Sequence, residues 1–410
     1  MSIRSDFPIF SNNPDLTYLD SASTAQKPSK VIDGIRDFME RDYANIHRGA
    51  YSLSERSEEL YDASKKAVAN LIGARSVEEI NYTYNATYAL NLLTASLVRS
   101  KWLKKGDKVL LGMAEHHANI VPWLIAKEDI GIEVEFIKLD ADFGLDFTDL
   151  EEKLTSDVRV VSLTAASNVT GGVTDLARAR DLIRARNPDT LFVVDGSQGV
   201  PHFRVDVTEL DIDFLVFTGH KMMADTGIGV LYGKKEYLKT LTPAFSGGGA
   251  INWVHQDCFA PAGLPSRWEP GTPHIIGAVS LLRAVEYMDS IGGYSQIEGI
   301  ENDLIEYTLT RWQTFKKQFP SVRLIGSEKS TNRVGVFGFV VDGIHISDLA
   351  DAFADKGVCV RAGHHCAEPL MSDLELSGSV RMSLYLYNTR ADIDRFFIVF
   401  AEIIGTSENS

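Results

Sequence analysis

The sequence predicts an α/β protein, with a mostly parallel central sheet in a large domain and a smaller α+β domain at the C-terminal end. Two observations lead to this fold class. Between about residue 16 and residue 233, short runs rich in Val, Ile and Leu alternate with longer amphipathic stretches, which is typical of buried strands separated by helices. The chain also has 410 residues, enough for two or three compact units.

The predicted strands of the large domain are short and apolar, and each is followed by polar residues. They comprise residues 79–84, 107–112, 133–139, 158–167, 191–196 and 213–221. Two of the stretches between them, residues 87–103 and 174–187, carry apolar side chains at helical spacing. We therefore expect helices there.

After residue 233 the pattern changes. Residues 234–275 are rich in Gly, Pro and Trp, which predicts ordered loops and a hairpin rather than regular layers. The later elements that we expect are helices over residues 276–291 and 299–318, strands near 332–341 and 357–362, and a terminal helix from Arg390. The predicted division is an irregular N-terminal arm (1–15) that packs with the small domain, the large domain (16–287) and the small domain (288–410).

Composition excludes several classes of function. The chain has 41 basic and 56 acidic residues, a net charge of −15, which repels nucleic acid and anionic lipid. No window approaches 18 consecutive apolar residues, the length needed to span a bilayer. The charge and this lack of an apolar segment together predict no membrane partner and no nucleic-acid partner. Three cysteines and an N-terminal stretch without an apolar signal core predict a cytoplasmic protein without a disulfide framework.

Polar residues follow the predicted strands, at the edge where ligands bind in open α/β sheets. In chain order they are Asn85-Ala86-Thr87 at a helix start, Glu115-His116-His117, Asn168, Asp195 with Gln198, and Thr218-Gly219-His220-Lys221. A hydroxyl, an imidazole, an amide, a carboxylate and an amine are thus expected in one crevice.

Asp195 and Lys221 point to pyridoxal 5′-phosphate (PLP). PLP chemistry needs a lysine that forms a Schiff base and an acidic partner that keeps the pyridine nitrogen protonated. Either residue alone is usually an ordinary surface or turn residue. Their placement together with His116 and Asn168 makes a PLP site the better interpretation.

Two other motifs are weaker. Gly227-Ile228-Gly229 and Gly233 miss the dinucleotide-binding spacing by one residue and precede a strand-like run. The group Cys359, His364, His365 and Cys366 suggests zinc, but adjacent histidines on an extended segment point to opposite sides. We expect no metal.

Several strings resemble the SUF-type, group II cysteine desulfurases, which belong to the class V, fold-type I PLP enzymes. The strings are YLDSAST (18–24), NIHRG (45–49), AEHHANIVPW (114–123), ASNVTGG (166–172), VVDGSQGV (193–200), TGHK (218–221), TGIGVLYGK (226–234), EPGTPH (269–274), RAGHHCAEPLM (361–371) and YNT (387–389). The resemblance is collinear from about residue 7 to the end of the chain. It implies a fold-type I PLP-dependent transferase.

The resemblance assigns the cofactor residues. Lys221 would form the Schiff base, Asp195 would bind the pyridinium, and His116 would stack on the ring and shuttle protons. Gln198 would bond the ring oxygen. Around the phosphate it places Thr87, Ala86, Thr218 and His220, with Thr272 reaching it from the other subunit of a homodimer; Asn168 would also lie against the cofactor.

The resemblance also assigns the substrate residues. Arg381 and Asn168 would hold the substrate carboxylate, and Cys366 would take the sulfur as a persulfide. Arg361, His364 and His365 would favour the Cys366 thiolate by charge and hydrogen bonding. His47 would contact substrate or, with Arg48, only pack the dimer interface.

The implied reaction converts L-cysteine to L-alanine and passes sulfur to an acceptor protein for iron–sulfur cluster assembly. Selenocysteine lyase, with L-selenocysteine as substrate, or another class V β-lyase is the alternative of the same fold. A non-catalytic sulfur-relay protein is the alternative of a different class.

The chain departs from the family pattern at three places near the site. Tyr84-Asn85-Ala86-Thr87 stands where the family has Arg-Gly-Thr-Thr, Ser246 where it has Glu, and Ala224-Asp225 where it has Gly-Pro. The departures spare Lys221, Asp195, His116 and Cys366, but they put cofactor affinity and partner docking in question.

Overall fold

The structure, a computed structural model, describes residues 3–47 and 49–407. Its α-helices are α1 (Pro8–Asn12), α2 (Ser29–Arg41), α3 (Ser52–Leu71), α4 (Ala86–Arg99), α5 (Val121–Ile130), α6 (Phe147–Lys153), α7 (Leu176–Arg186), α8 (Lys235–Thr240), α9 (Ile275–Ser290), α10 (Gly293–Gln318), α11 (Ile346–Asp355), α12 (Glu368–Asp373) and α13 (Arg390–Ser407). The strands are β1 (Thr17–Tyr18), β2 (Ile80–Thr83), β3 (Lys108–Gly112), β4 (Glu133–Ile137), β5 (Val158–Thr164), β6 (Leu191–Asp195), β7 (Phe214–Thr218), β8 (Gly229–Gly233), β9 (Ile251–Val254), β10 (Phe259–Pro261), β11 (Val322–Ile325), β12 (Val336–Val341), β13 (Val358–Cys359), β14 (Arg361–Gly363) and β15 (Ser379–Ser383).

A seven-stranded sheet in the order β2-β8-β7-β6-β5-β3-β4 forms the centre of the part of the chain that runs from β2 to β8. In this sheet β8 runs antiparallel to the other six strands, which are the predicted ones and run parallel to one another. Strands β5 to β8 are almost wholly buried, which explains their continuous apolar runs. The predicted α/β fold class with a mostly parallel sheet is confirmed.

A smaller antiparallel sheet in the order β11-β12-β15-β14 follows in the C-terminal part. Its core is rich in aromatic side chains from the sheet and from helices α10, α11 and α13, among them Trp312, Phe339, Phe353 and Phe400. The predicted boundary at residue 287 falls inside helix α9, and the division into domains stays a prediction.

The N-terminal segment packs on both parts. Strand β1 pairs in parallel with β13, and the Phe7 ring lies 5.8 Å from Tyr287 and 4.9 Å from Tyr387. The expectation of an irregular arm is wrong, because Ile3–Asp6 forms a 3-10 helix and Pro8 begins α1. A proline suits the first turn of a helix, since its fixed φ is already helical.

Two other expectations need correction. Residues 234–275 contain the predicted hairpin, β9 with β10, but also helix α8 and a 3-10 turn at Ser266–Trp268. Helix α10 begins at Gly293 rather than at residue 299, after Gly292 with a φ of 108°. Glycine adopts this left-handed backbone without strain, so the helix can begin at once after α9.

Gly229 of β8 packs directly against the backbone that enters α4. A Cβ at this position would lie 2.6 Å from the Cα and carbonyl carbon of Asn85. We predict that Gly229→Ala lowers the free energy of unfolding by about 1–3 kcal/mol, because backbone cannot yield cheaply to an added methyl. Gly299→Ala on α10 is the matched control, since a Cβ there meets open space. This substitution should raise the free energy of unfolding by about 0.5–1 kcal/mol. Equal stabilities of the two variants in urea unfolding would contradict this packing.

Candidate active site

A cavity of about 210 Å³ lies at the carboxyl ends of the parallel strands. The predicted site residues that line it are Ala86, Thr87, His116, Asn168, Asp195, Gln198, Thr218, His220, Lys221, Arg361 and Arg381. The cavity therefore gathers side chains from most of the strand ends that sequence reasoning selected.

Lys221 and Asp195 come from neighbouring strands. Asp195 is the last residue of β6, and Lys221 lies on the 3-10 turn that directly follows β7. The Asp195 carboxylate is buried and accepts a hydrogen bond from the Ser197 N–H at 2.9 Å. Burial lowers the pKa of Lys221 to about 8, against the opposing effect of Asp195. Such an amine is partly neutral at pH 7 and can act as a nucleophile.

The cavity also contains a seat for an anionic group at the N-terminus of α4. The Asn85 side chain caps this helix by accepting from the Tyr88 N–H at 2.8 Å, and the helix begins with Ala86 and Thr87 at the cavity wall. The Oγ atoms of Thr218 and Ser197 are buried and have no hydrogen-bond partner in the part of the chain that the structure describes. Free hydroxyls beside a helix N-terminus suit a phosphate.

Ser197 was missed by sequence reasoning. It lies in the string VVDGSQGV between Asp195 and Gln198, so its place near the cavity could have been inferred. Gln198 donates from Nε2 to the Ala22 carbonyl at 2.8 Å. One amide hydrogen of Gln198 remains for a ligand.

His116 is held in one tautomer. Its Nδ1 accepts a hydrogen bond from the Ala118 N–H at 3.0 Å, so the proton of the neutral ring is on Nε2. Burial and the nearby Lys221 charge lower the pKa of His116 to about 4. Burial and Lys221 also lower the pKa of His220 to about 4. Both rings are neutral at physiological pH.

Glu115 anchors the loop that carries His116, a role that the sequence did not disclose. Its buried carboxyl accepts hydrogen bonds of 2.7 Å from the Thr164 N–H and from Asn119 Nδ2. Burial raises the pKa of Glu115 to about 8. The loop is thereby tied to the end of β5.

Arg381 is buried on β15 and aimed at the cavity wall. Its guanidinium donates to Asp20 Oδ1 at 3.0 Å, to Ser23 Oγ at 2.7 Å and to the Asn168 carbonyl at 3.1 Å. The Nε–H of Arg381 has no partner among the described residues. Asp20 and Ser23 were not predicted as site residues, although both belong to the string YLDSAST.

Cys366 lies on a strained turn after β14. His365 and Cys366 have φ values of 54° and 56°, a left-handed backbone that non-glycine residues seldom adopt. Three hydrogen bonds hold the turn: His117 N–H to the Cys366 carbonyl at 2.6 Å, Asn168 Nδ2 to the His365 carbonyl at 2.8 Å, and His365 Nε2 to the Ser379 carbonyl at 3.0 Å. Strain kept by such contacts is common at functional sites.

The Cys366 thiol is half-buried and does not line the cavity itself. A negative charge on it favours the protonated forms of Lys221 and Arg381, which places the thiol within electrostatic reach of both. Asn168, predicted as a carboxylate ligand, uses one amide hydrogen to hold the Cys366 turn. Cys359 is half-buried, and burial raises the pKa of its thiol.

His47 and Thr272 do not line this cavity. The His47 side chain is 44% exposed, and its Nδ1 lies 3.3 Å from Glu58 Oε1. Thr272 lines a second, smaller cavity with Tyr84, Tyr88 and others. The roles predicted for His47 and Thr272 stay predictions, and Arg48 lies outside the described residues.

Neither a metal site nor a membrane span is found within residues 3–47 and 49–407. Across these residues, no group of three or more His, Cys, Asp and Glu side chains could hold a metal ion. Over the same residues, no helix is long and apolar enough to cross a membrane.

Comparison with known proteins gives the class first. Residues 17–396 match the family described as Aminotransferase class-V, and the chain belongs to this family. A "probable cysteine desulfurase" of Synechocystis sp. is 40% identical over 399 residues, which cover 96% of this chain and 93% of that protein. A "cysteine desulfurase" of Yersinia pseudotuberculosis is 38% identical over 401 residues, which cover 96% of this chain and 95% of that protein.

Solved structures of cysteine desulfurases have the same fold as this chain. The apo cysteine desulfurase of Thermococcus onnurineus NA1 superposes with a TM-score of 0.92 at 33% identity and covers 98% of both chains. An S-sulfonic acid form of an Escherichia coli cysteine desulfurase gives a TM-score of 0.86 at 32% identity, also with 98% of both chains covered. The resemblance to cysteine desulfurases is confirmed, and membership in the SUF-type subgroup stays a prediction.

The low pKa of Lys221 has a measurable consequence. We predict that trinitrobenzenesulfonate, which attacks neutral amines, labels Lys221 of cofactor-free protein with a midpoint near pH 8, where burial places this pKa. Asp195→Asn should move the midpoint to lower pH, because the Asp195 charge raises the pKa of Lys221. Asp213→Asn, at the opposite end of β7, should leave it unchanged. Mass spectrometry of the Lys221 peptide gives the midpoint, and a value above pH 10 would contradict the burial.

Proposed function

We propose that this chain is a PLP-dependent cysteine desulfurase that converts L-cysteine to L-alanine and leaves a persulfide on Cys366. The observation that carries the proposal is the Cys366 turn, pinned beside a cavity that contains the Lys221–Asp195 pair. A nucleophilic thiol next to an amine and a buried carboxylate fits sulfur removal from an amino acid better than amino-group transfer.

The residues present fit PLP. Its phosphate would lie at the α4 N-terminus against the free hydroxyls of Thr218 and Ser197, and Asp195 would face the ring nitrogen. Lys221 would be the covalent attachment point. When bound, PLP supplies an electron sink that stabilises negative charge on the substrate carbon skeleton.

The other side chains orient the substrate. The unpartnered Nε–H of Arg381 and the exposed Arg361, both at the cavity wall, would bind the substrate carboxylate. Lys221, with its pKa near 8, can hold the proton removed from the α-carbon once its amine is free. Neutral His116 carries its proton on Nε2 and can exchange this proton with the sulfur of the substrate.

The sulfur step balances without an outside oxidant. The Cys366 thiolate attacks the substrate sulfur, an S–S bond forms, and the C–S bond breaks with its electron pair left on carbon. A proton then completes the methyl group of L-alanine. L-Cysteine and the Cys366 thiol thus become L-alanine and a Cys366 persulfide.

The chain would work as a cytoplasmic homodimer that delivers sulfur to an acceptor protein for iron–sulfur cluster assembly. Support for a second copy comes from the rim of the phosphate seat, where Tyr84 and Phe245 are exposed. Tyr84 packs edge-on against Tyr88 at 5.3 Å, and Phe245 stacks on Tyr88 at 5.9 Å. A partner that covers these rings would bring its own Thr272 towards this seat. The exposed His364 and Glu368 beside Cys366 would face the acceptor.

Replacing Cys366 tests the proposal. We predict that Cys366→Ala with bound PLP releases L-alanine from L-cysteine at background rate, because Cys366 is the thiol whose charge acts on both Lys221 and Arg381. Its activity on L-selenocysteine should largely survive, since a selenol is more acidic and leaves more easily. Alanine release is compared at equal PLP content.

Cys258→Ala is the matched control, because Cys258 is an exposed thiol away from the cavity, and it should behave as wild type. A Cys366→Ala protein with wild-type activity on L-cysteine would contradict the role of Cys366. Turnover of L-selenocysteine alone by the wild type would favour selenocysteine lyase. The absence of any turnover would favour a sulfur-relay protein.

A further inference from the structure

A buried ion pair lies outside the active-site cavity and has no part in the chemistry described above. Lys65 of α3 places its Nζ 2.8 Å from both carboxylate oxygens of Glu269. The two side chains are only 5% and 8% exposed. Burying two charges costs free energy, so such a pair persists when its geometry serves a purpose or is fully satisfied.

The surroundings satisfy the pair completely. Lys65 Nζ also donates to the Ile80 carbonyl at 3.1 Å and lies 5.4 and 5.3 Å from the ring centres of Tyr61 and Tyr82. The Tyr61 hydroxyl donates to Glu269 Oε2 at 3.1 Å. Burial and the Glu269 charge raise the pKa of Tyr61, so this hydroxyl keeps its proton.

Glu269 links two segments of the chain, one that leads to the phosphate seat and one that lines the second, smaller cavity beside it. On one side, its Oε1 accepts the Tyr82 N–H at 2.5 Å, and Tyr82 belongs to β2 at the edge of the sheet. Strand β2 ends at Thr83, two residues before Asn85 caps α4. On the other side, Glu269 begins the segment of residues 269–274, which carries Thr272. One carboxylate therefore joins the strand that leads into the seat to the segment that carries Thr272.

We propose that Lys65 and Glu269 are positioning residues that hold residues 85–87 and residues 270–274 at a fixed spacing and thereby control how fast PLP leaves the enzyme. This inference rests on the proposed function, because it takes PLP as the occupant of the seat. It gives the ion pair a role besides simple stability.

Glu269→Gln in the PLP-loaded enzyme is the test. Glutamine keeps an oxygen for the Tyr82 N–H but leaves the buried Lys65 charge without its counter-ion, so the two segments should shift apart. We expect the PLP dissociation rate constant to rise about tenfold or more, which corresponds to ~1.4 kcal/mol. The loss of visible PLP absorbance during dilution into a PLP trap measures this rate without any substrate.

A second readout separates positioning from stability. A ligand stabilises the folded state according to its affinity, so weaker PLP binding narrows the gap between the melting temperatures of the loaded and the PLP-free protein. A purely structural role would lower both temperatures by the same amount. We expect the gap to narrow in Glu269→Gln.

Asp213→Asn is the matched control. Asp213 is also a buried carboxylate held by cations and a strand N–H, with Lys234 Nζ at 2.6 Å, Arg184 Nη2 at 2.9 Å and Phe192 N at 2.8 Å. It precedes β7, at the end of the sheet away from the cavity. This variant should lower both melting temperatures and leave the gap and the PLP dissociation rate unchanged.

A double variant keeps the test decisive if Glu269→Gln does not fold. Lys65→Met with Glu269→Gln removes both charges, and a buried pair replaced in this way is often tolerated. Rapid PLP loss from this folded variant supports the proposal. PLP retention at the wild-type rate in every folded variant overturns it and leaves the proposed function intact, whereas a wild-type chain that binds no PLP overturns both.

Discussion

Burial of the Lys221 amine beside the Asp195 carboxylate is the interaction on which the site depends. Two neighbouring parallel strands, β6 and β7, end together and place the two groups in one cavity. Burial disfavours the charged amine, the Arg381 and Arg361 charges act in the same direction, and Asp195 opposes them. The result is an amine whose pKa lies near 8 rather than 10.5. The sheet order and the cationic wall are therefore parts of one electrostatic arrangement.

The second constraint is the Cys366 turn. Two successive residues in left-handed conformation cost roughly 1–3 kcal/mol each, and the turn keeps this shape because His117, Asn168 and Ser379 hold it from three different segments. Asn168 comes from the end of β5 and Ser379 from β15. The thiol is thus positioned by the large and the small sheet together, within electrostatic reach of Lys221 and Arg381.

Much of this arrangement was predictable because it is local in sequence. The strands around Asp195 and Lys221 are continuous apolar runs that end in polar residues, and the parallel arrangement follows from the helices between them. Helices α1 and α8 were missed because helices of five or six residues depend on tertiary packing rather than on their own periodicity.

The long-range partners were beyond sequence reasoning. The contact of Asp20 with Arg381 joins residues 361 positions apart, and no local sequence pattern predicts such a contact. The same holds for Glu115 with Thr164 and for Lys65 with Glu269, whose partners lie on separate elements. A motif indicates which side chains are available, and only the fold shows which of them meet.

The lysine to which PLP attaches shows whether Lys221 has the role described above. Lys27 is the natural rival of Lys221, because burial lowers its pKa to about 8 as well and its Nζ lies 3.4 Å from the His220 carbonyl. Purified protein with bound PLP is reduced with borohydride, digested and analysed by mass spectrometry. We expect one reduced PLP adduct per chain, on Lys221. An adduct on Lys27, or no adduct in protein that retains PLP, would contradict it.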